Sequence, residues 1–161
     1  MSDLRTLLAE AGMDDGKTLL QSGNVVFRSG ESSPQRLEKI LEDATAKQLG
    51  LQTDYFVRSA EQWASIIEAN PFQNEARRDP SHLLVVCMKD APASGALEAL
   101  REAIRGPETV EVYGREGYVA YPEGVGRSKL TMALIEKKLG TRGTGRNWNT
   151  VLKLGALSGQ E

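Results

Sequence analysis

The sequence predicts an α+β protein made of two ferredoxin-like (βαββαβ) halves, the first lacking its N-terminal strand. Three observations predict it. The second half reads strand, helix, strand, strand, helix, strand, helix. The first half reads helix, strand, strand, helix, strand, helix, so one strand added in front makes the two match. A polar stretch, Gln73 to Pro80, separates them, and 161 residues suffice for two small halves sharing a core. The expected division is 1–75 and 76–161.

The first half opens in a helix, with Leu4, Leu7, Leu8 and Ala11 at helical spacing and Gly12 as its stop. Lys17 to Arg28 reads as two extended pieces bent at Ser22-Gly23, with Val25-Val26-Phe27 as a strand core. A helix follows, capped either by Ser33 before Pro34 or by Ser32 with Gln35 closing a capping box; its apolar stripe is Leu37, Ile40, Leu41, Ala44 and Gln48. Gln52 to Arg58 alternates, with Thr53, Tyr55 and Val57 on one face, and reads as a strand. Ser59-Ala60-Glu61-Gln62 is a capping box for a helix that buries Trp63, Ile66 and Ile67 and stops at Asn70-Pro71.

In the second half, Leu83 to Met88 is the continuous apolar run of a central strand. Leu97, Leu100, Ala103 and Ile104 mark a helix ended by Gly106-Pro107. Thr109 to Tyr113 alternates with Val110 and Val112 inward, and Gly114 to Gly117 turns into Tyr118-Val119-Ala120-Tyr121. The next helix is expected from about Arg127 to Leu139. Its Leu130, Ala133 and Leu134 lie roughly 150° from Met132, Ile135 and Leu139, at about 100° per residue. A helix with two apolar sides is covered twice, which points to the other half or to a second copy in a homodimer. Thr144 to Arg146 is a short extended piece, and Asn147 or Asn149 caps a last helix carrying Val151, Leu154 and Leu157.

Hydrophobic content of 40% and charged content of 26% are those of an ordinary globular protein. No apolar run reaches the roughly 18 residues that a membrane span needs, so no membrane partner is expected. The charged, amphipathic start is not a secretory signal, and the one cysteine, Cys87, has no internal partner, which together suit a cytoplasmic location. The net charge of −2 is unevenly spread: residues 124–161 carry seven bases against two acids, and residues 1–123 carry 13 bases against 20 acids. A basic segment of this kind marks either an anion-binding end or a solvated face.

Four stretches resemble the domain of unknown function 1697 family of uncharacterised bacterial proteins. They are Leu19-Leu20-Gln21-Ser22-Gly23-Asn24-Val25-Val26-Phe27, Asn70-Pro71-Phe72, Gly126-Arg127-Ser128-Lys129-Leu130 and Arg146-Asn147-Trp148-Asn149-Thr150-Val151. They stand in the family's order and spacing and cover most of the chain. The resemblance implies two ferredoxin-like subdomains and no established activity. Similar proteins begin with an additional strand and a glycine-rich loop containing Arg-Gly-Ile-Asn, whereas this chain opens in the first helix. A late start codon, a truncation or a strand supplied by another chain would each account for that.

Two polar stretches carry the site expectations. Gly124 to Lys129 lies between a strand and a helix, where backbone N–H groups beside Arg127, Ser128 and Lys129 favour a phosphate or carboxylate. It lacks the spacer of a P-loop, and Lys129 stands where a dinucleotide fingerprint has its third glycine. Arg146, Asn147, Trp148 and Asn149 offer a guanidinium, two amides and an indole at another helix entrance, a set suited to planar hydrogen-bonding ligands. Gln21, Ser22 and Asn24 form a similar upstream set. For each, a capping, core or bulge role is the structural alternative.

Gly117 to Tyr121 matches the last five positions of an RNA-recognition signature, on the third strand of a βαββαβ unit where it belongs. Gly114, Arg115 and Glu116 do not match the first three, and Leu83 to Met88 supplies no second aromatic. His82 stands alone before a strand, Cys87 lies in an apolar run, and no acid pair is singled out, so no nucleophile or base can be named. No metal and no cofactor is expected. The leading expectation is a binding module for a phosphorylated or otherwise anionic small ligand. An RNA-binding sheet face around Tyr118 and a small enzyme of unknown reaction are the alternatives.

Overall fold

The computed structural model describes residues 13–19, 24–29 and 33–158. The opening helix and Ser22-Gly23 of the sequence reading lie outside them. The chain forms two compact units, Met1–Ala64 with Leu154–Glu161, and Ser65–Lys153.

In the first unit, strands β1 (Met13–Leu19) and β2 (Asn24–Ser29) pair antiparallel, with a register irregularity between Asp14 and Lys17. Helix α1 (Pro34–Leu49) starts where Ser33 Oγ accepts the Arg36 N–H at 3.4 Å and stops at left-handed Gly50 (φ 66°). Of the two possible caps, Ser33 is used. The buried side of α1 is Leu37, Glu38, Leu41 and Thr45, while Ile40 is 38% exposed and Gln48 is exposed. The stripe is therefore rotated from the expected one toward two polar residues.

Those polar residues explain the fate of Gln52 to Arg58, which forms no strand among the described residues. Its backbone donors go to the carboxylates of α1. Glu42 Oε2 takes the Tyr55 N–H and Glu38 Oε2 the Val57 N–H, each at 2.9 Å. Tyr55 Oη and Thr45 Oγ1 share a hydrogen bond of 2.7 Å, and the Arg58 Nη1 lies 3.6 Å from Glu38 Oε2 with both side chains buried. Tyr55 and Val57 do share a side, but it packs on a helix face, and Thr53 is exposed. Phe27, Ala44, Tyr55 and Val57 pack around Leu37 and Leu41.

Helix α2 (Ala60–Glu68) has the expected capping box: Ser59 Oγ accepts the Gln62 N–H at 3.0 Å and Gln62 Oε1 accepts the Ser59 N–H at 2.9 Å. Buried Asn70 then turns the chain by accepting the Phe72 N–H at 2.9 Å. A short helix α3 (Gln73–Arg78), which no apolar stripe announces, precedes a 3₁₀ turn at Pro80–His82.

The second unit is a four-stranded antiparallel sheet, so the fold is mixed α/β with six helices among the described residues. β3 (Leu83–Met88), helix α4 (Ala96–Ala103), β4 (Thr109–Tyr113), β5 (Glu116–Ala120), helix α5 (Met132–Leu139) and β6 (Gly143–Asn147) follow in chain order, with strand order β4-β5-β3-β6. Helix α6 (Trp148–Ser158) comes last. One sheet face carries Val86, Met88, Val110, Val119 and Tyr121, packed with Leu100 of α4, Ile135 and Leu139 of α5, and Leu130. On β6 this face carries Gly143 and Gly145 before Asn147: a Cβ at Gly145 would stand 2.7 Å from Leu84 Cδ2, and one at Gly143 would stand 3.1 Å from Val86 Cγ1.

Helix α5 corrects the sequence reading. It begins at Met132, with Thr131 Oγ1 accepting the Leu134 N–H at 3.2 Å, five residues later than expected. Without Leu130, which enters from the loop, the second apolar side disappears. Met132, Leu134, Ile135 and Leu139 all join one core, and Ala133 is exposed. The helix no longer calls for a second cover.

Replacing Glu38 by Ala removes the acceptor of the Val57 N–H and the carboxylate beside a guanidinium that is 2% exposed. The expected cost is about 3 kcal/mol in urea unfolding, with faster hydrogen exchange of the Val57 amide. Glu38→Gln should cost less, because one oxygen acceptor remains.

Candidate functional site

The loop after β5 is built on a buried tyrosine. Tyr121 is 2% exposed and donates its hydroxyl to the Leu130 carbonyl at 2.9 Å, closing a ten-residue strap. Inside the strap the Gly124 N–H reaches the Tyr121 carbonyl at 2.9 Å, with Gly124 left-handed (φ 94°). Ser128 Oγ donates to Glu108 Oε2 and accepts the Leu130 N–H, both at 2.9 Å. This double use of Ser128 draws Leu130 into the core and leaves Thr131 to cap α5. Arg127 and Lys129 are thereby presented to solvent on either side of an anchored serine. They flank a turn rather than opening a helix, and the Ser128 N–H between them goes to the Val125 carbonyl at 3.2 Å.

The second stretch is more ordered. In β6, Arg146 donates through Nη1 to Thr144 Oγ1 at 2.7 Å and to the Gly145 carbonyl at 2.8 Å. Burial lowers its pKa from the ordinary arginine value, with the Cys87 thiol acting weakly the other way. Asn147 Oδ1 accepts the Thr150 N–H at 3.0 Å, so Asn147 is the cap of α6. Trp148 is 5% exposed and Asn149 is exposed. Of the upstream set, Gln21 and Ser22 lie outside the described residues, and Asn24 is half-buried at the start of β2.

The register places Arg146 opposite Val85 and Val85 opposite Tyr118, so they form one row across the sheet face away from α5. Tyr118 is 1% exposed, donates its hydroxyl to the Ile66 carbonyl at 2.6 Å and meets the Tyr113 ring at 5.8 Å between centroids. A base-stacking platform needs an open ring face, which Tyr118 does not have. The aromatic on which the RNA-binding expectation stood is a core residue. Cys87 is buried, and Asp79 Oδ2 lies 2.7 Å from His82 Nδ1. Among the described residues, no three His, Cys, Asp or Glu side chains gather as a metal site would require.

One cleft was not foreseen. An open depression of about 460 Å³ is lined by Lys89, Asp90, Glu136, Lys137, Gly140, Thr141 and Arg142. The basic tail segment signalled Lys137 and Arg142; Lys89 and Asp90 arrive from some fifty residues upstream because β3 ends beside the start of β6, with Met88 opposite Gly143.

A family model described as a protein of unknown function (DUF1697) matches residues 1–118. No curated protein matches the sequence. Among solved structures, the conserved bacterial protein SP0830 from Streptococcus pneumoniae is similar in fold, with a TM-score of 0.73 at 20% identity, covering 98% of this chain and 88% of that chain. At that identity the likeness concerns the fold alone. No described helix is long and apolar enough to cross a membrane.

Burial, followed by the nearby Glu108 charge, pushes the Tyr121 hydroxyl from 10 up to about 12. The folded state therefore holds this proton more tightly than the unfolded chain does. Stability should fall as the pH rises from 10 toward 12. Tyr121→Phe is expected to cost about 1 kcal/mol at neutral pH through the lost hydrogen bond. The gap to wild type should narrow above pH 10, as measured by urea unfolding at each pH.

Proposed function

The chain belongs to the DUF1697 family of proteins of unknown function, and within it we propose a binding module for a phosphorylated or otherwise anionic small ligand. The module consists of two ferredoxin-like halves, 1–75 and 76–161. The element order from β3 to β6 and the strand order β4-β5-β3-β6 support that architecture for the second half. In the first half, the β1–β2 pair and α1 are three of the expected elements.

The observation that carries the ligand class is Arg146. Its guanidinium is withdrawn from water enough to lower its pKa, so an anion placed against it regains charge stabilisation in a poorly screened setting. The exposed Arg127 and Lys129, held out by the Ser128–Glu108 bond, supply further cations. Exposed Asn149 supplies an amide, while Asn147 and Trp148 hold the helix entrance in place. Gln21, Ser22 and Asn24 are proposed as a polar ligand-contacting set of the first half, taken by itself. A lone thiol suits work in the cytoplasm.

A thermal-shift screen of nucleotides and phosphorylated metabolites tests this. A ligand at about a hundred times its Kd should stabilise wild type by about 2.7 kcal/mol. Arg127→Ala, whose side chain is exposed, should fold normally and lose most of that shift. Arg146→Ala should lose it entirely. Equal shifts in wild type and both variants would remove the proposal.

A further inference from the structure

The cleft at Lys89 and Arg142 lies at the opposite end of the four-stranded sheet from the Arg127 loop. Ala120 of β5 pairs with Leu83 at the start of β3, so the chain leaves β5 toward the Arg127 strap at that end. Met88 at the end of β3 pairs with Gly143 at the start of β6, and the cleft opens there. Three segments form its walls: the exit of β3, the last turn of α5 and the entry to β6.

Backbone bonds fix those walls. The Lys89 N–H donates to the Arg142 carbonyl at 2.9 Å, and the Asp90 N–H to Thr141 Oγ1 at 3.1 Å. Arg115 Nη1 donates to the Lys89 carbonyl at 3.2 Å. The Gly140 N–H returns to the Glu136 carbonyl at 2.8 Å, ending α5, and Glu136 Oε2 accepts the Gly143 N–H at 3.0 Å. The depression they frame holds about 460 Å³ and is widely open to solvent.

From this we infer a second site, for a phosphorylated polyhydroxy compound such as a sugar phosphate. Lys89, Lys137 and Arg142 supply three cations for a phosphate. Of the two carboxylates, that of Glu136 is committed to Gly143, and that of Asp90 stands on the exposed rim, where it accepts hydroxyl hydrogens. None of the described residues lining the cleft is aromatic, so it offers no stacking surface for a nucleobase. Lys137 in the last turn of α5 also complements the helix dipole. A purely capping role predicts lost stability on mutation and no ligand effect.

The test is calorimetric titration of the whole chain with a hexose monophosphate, the free hexose and inorganic phosphate. Saturable binding of the hexose monophosphate is expected, with inorganic phosphate weaker and free hexose weakest. Lys137→Gln/Arg142→Gln, both at exposed positions, should weaken hexose monophosphate binding by at least about tenfold. Asp90→Ala, at an exposed position, should erase the preference for the hexose monophosphate over inorganic phosphate. Repeated in an Arg127→Gln background, which weakens the Arg146 and Arg127 site, the titration should retain hexose monophosphate binding that still falls with Lys137→Gln/Arg142→Gln, which separates this cleft from that site. Unchanged affinity in the double variant, or no saturable binding of any probe, overturns the inference. Should the double variant fail to fold by circular dichroism, Lys137→Gln alone gives the same decision. A preference that survives Asp90→Ala overturns the polyhydroxy assignment.

Discussion

The second unit depends on β3 being buried on both faces and hydrogen-bonded on both edges. Leu83 and Val85 point to one side, Val86 and Met88 to the other, and all four are at most 1% exposed. β5 and β6 take its two edges, leaving β4 and β6 as the outer strands. Each alternate residue of β3 therefore specifies a different layer, and a slip by one residue would exchange them. The row Arg146, Val85, Tyr118 shows the outcome on one side: an aliphatic residue separates a desolvated cation from a tyrosine whose hydroxyl serves the Ile66 carbonyl. On the other side, the glycines of β6 leave room for Leu84 and Met132.

The first unit solves the same problem of satisfying backbone donors differently. Glu38 and Glu42 stand one turn apart on α1, and Tyr55 and Val57 stand two apart on an extended segment. Two carboxylates therefore take two successive same-side N–H groups. A charged pair inside this arrangement, Glu38 with Arg58, binds the segment, which has no neighbouring strand among the described residues.

What was legible in the sequence was local. The Ser59–Gln62 capping box, the Ser33 cap, the apolar run of β3 and the β4–β5 hairpin each follow from residues within a few positions of one another. What was not legible depended on distant partners. The sequence starts a helix at about Arg127, whereas Ser128 is occupied by Glu108, twenty residues away, and Thr131 caps the helix instead. Gln52 to Arg58 has a strand's alternation, yet side chains of an earlier helix take its N–H groups. The polar signals of the Arg127 loop and of Arg146 to Asn149 were visible as types, whereas their burial was not: Trp148 went inward and Asn149 outward. The Lys89 cleft needed the strand order itself, since no spacing along the chain joins Asp90 to Thr141.

β6 and α6 meet with no residue between them. Asn147 is at once the last residue of the strand and the cap of the helix, and Trp148, the first helical residue, is buried. The joint has no slack. An inserted residue would turn the helix by about 100° relative to the strand, carrying Trp148 and Val151 off their buried side while separating the cap from its N–H. Substitutions at this junction can be compensated by repacking, whereas a change of length cannot. Over evolutionary time, insertions and deletions should therefore accumulate elsewhere, leaving the spacing from Arg146 to Val151 as an invariant ruler within the fold.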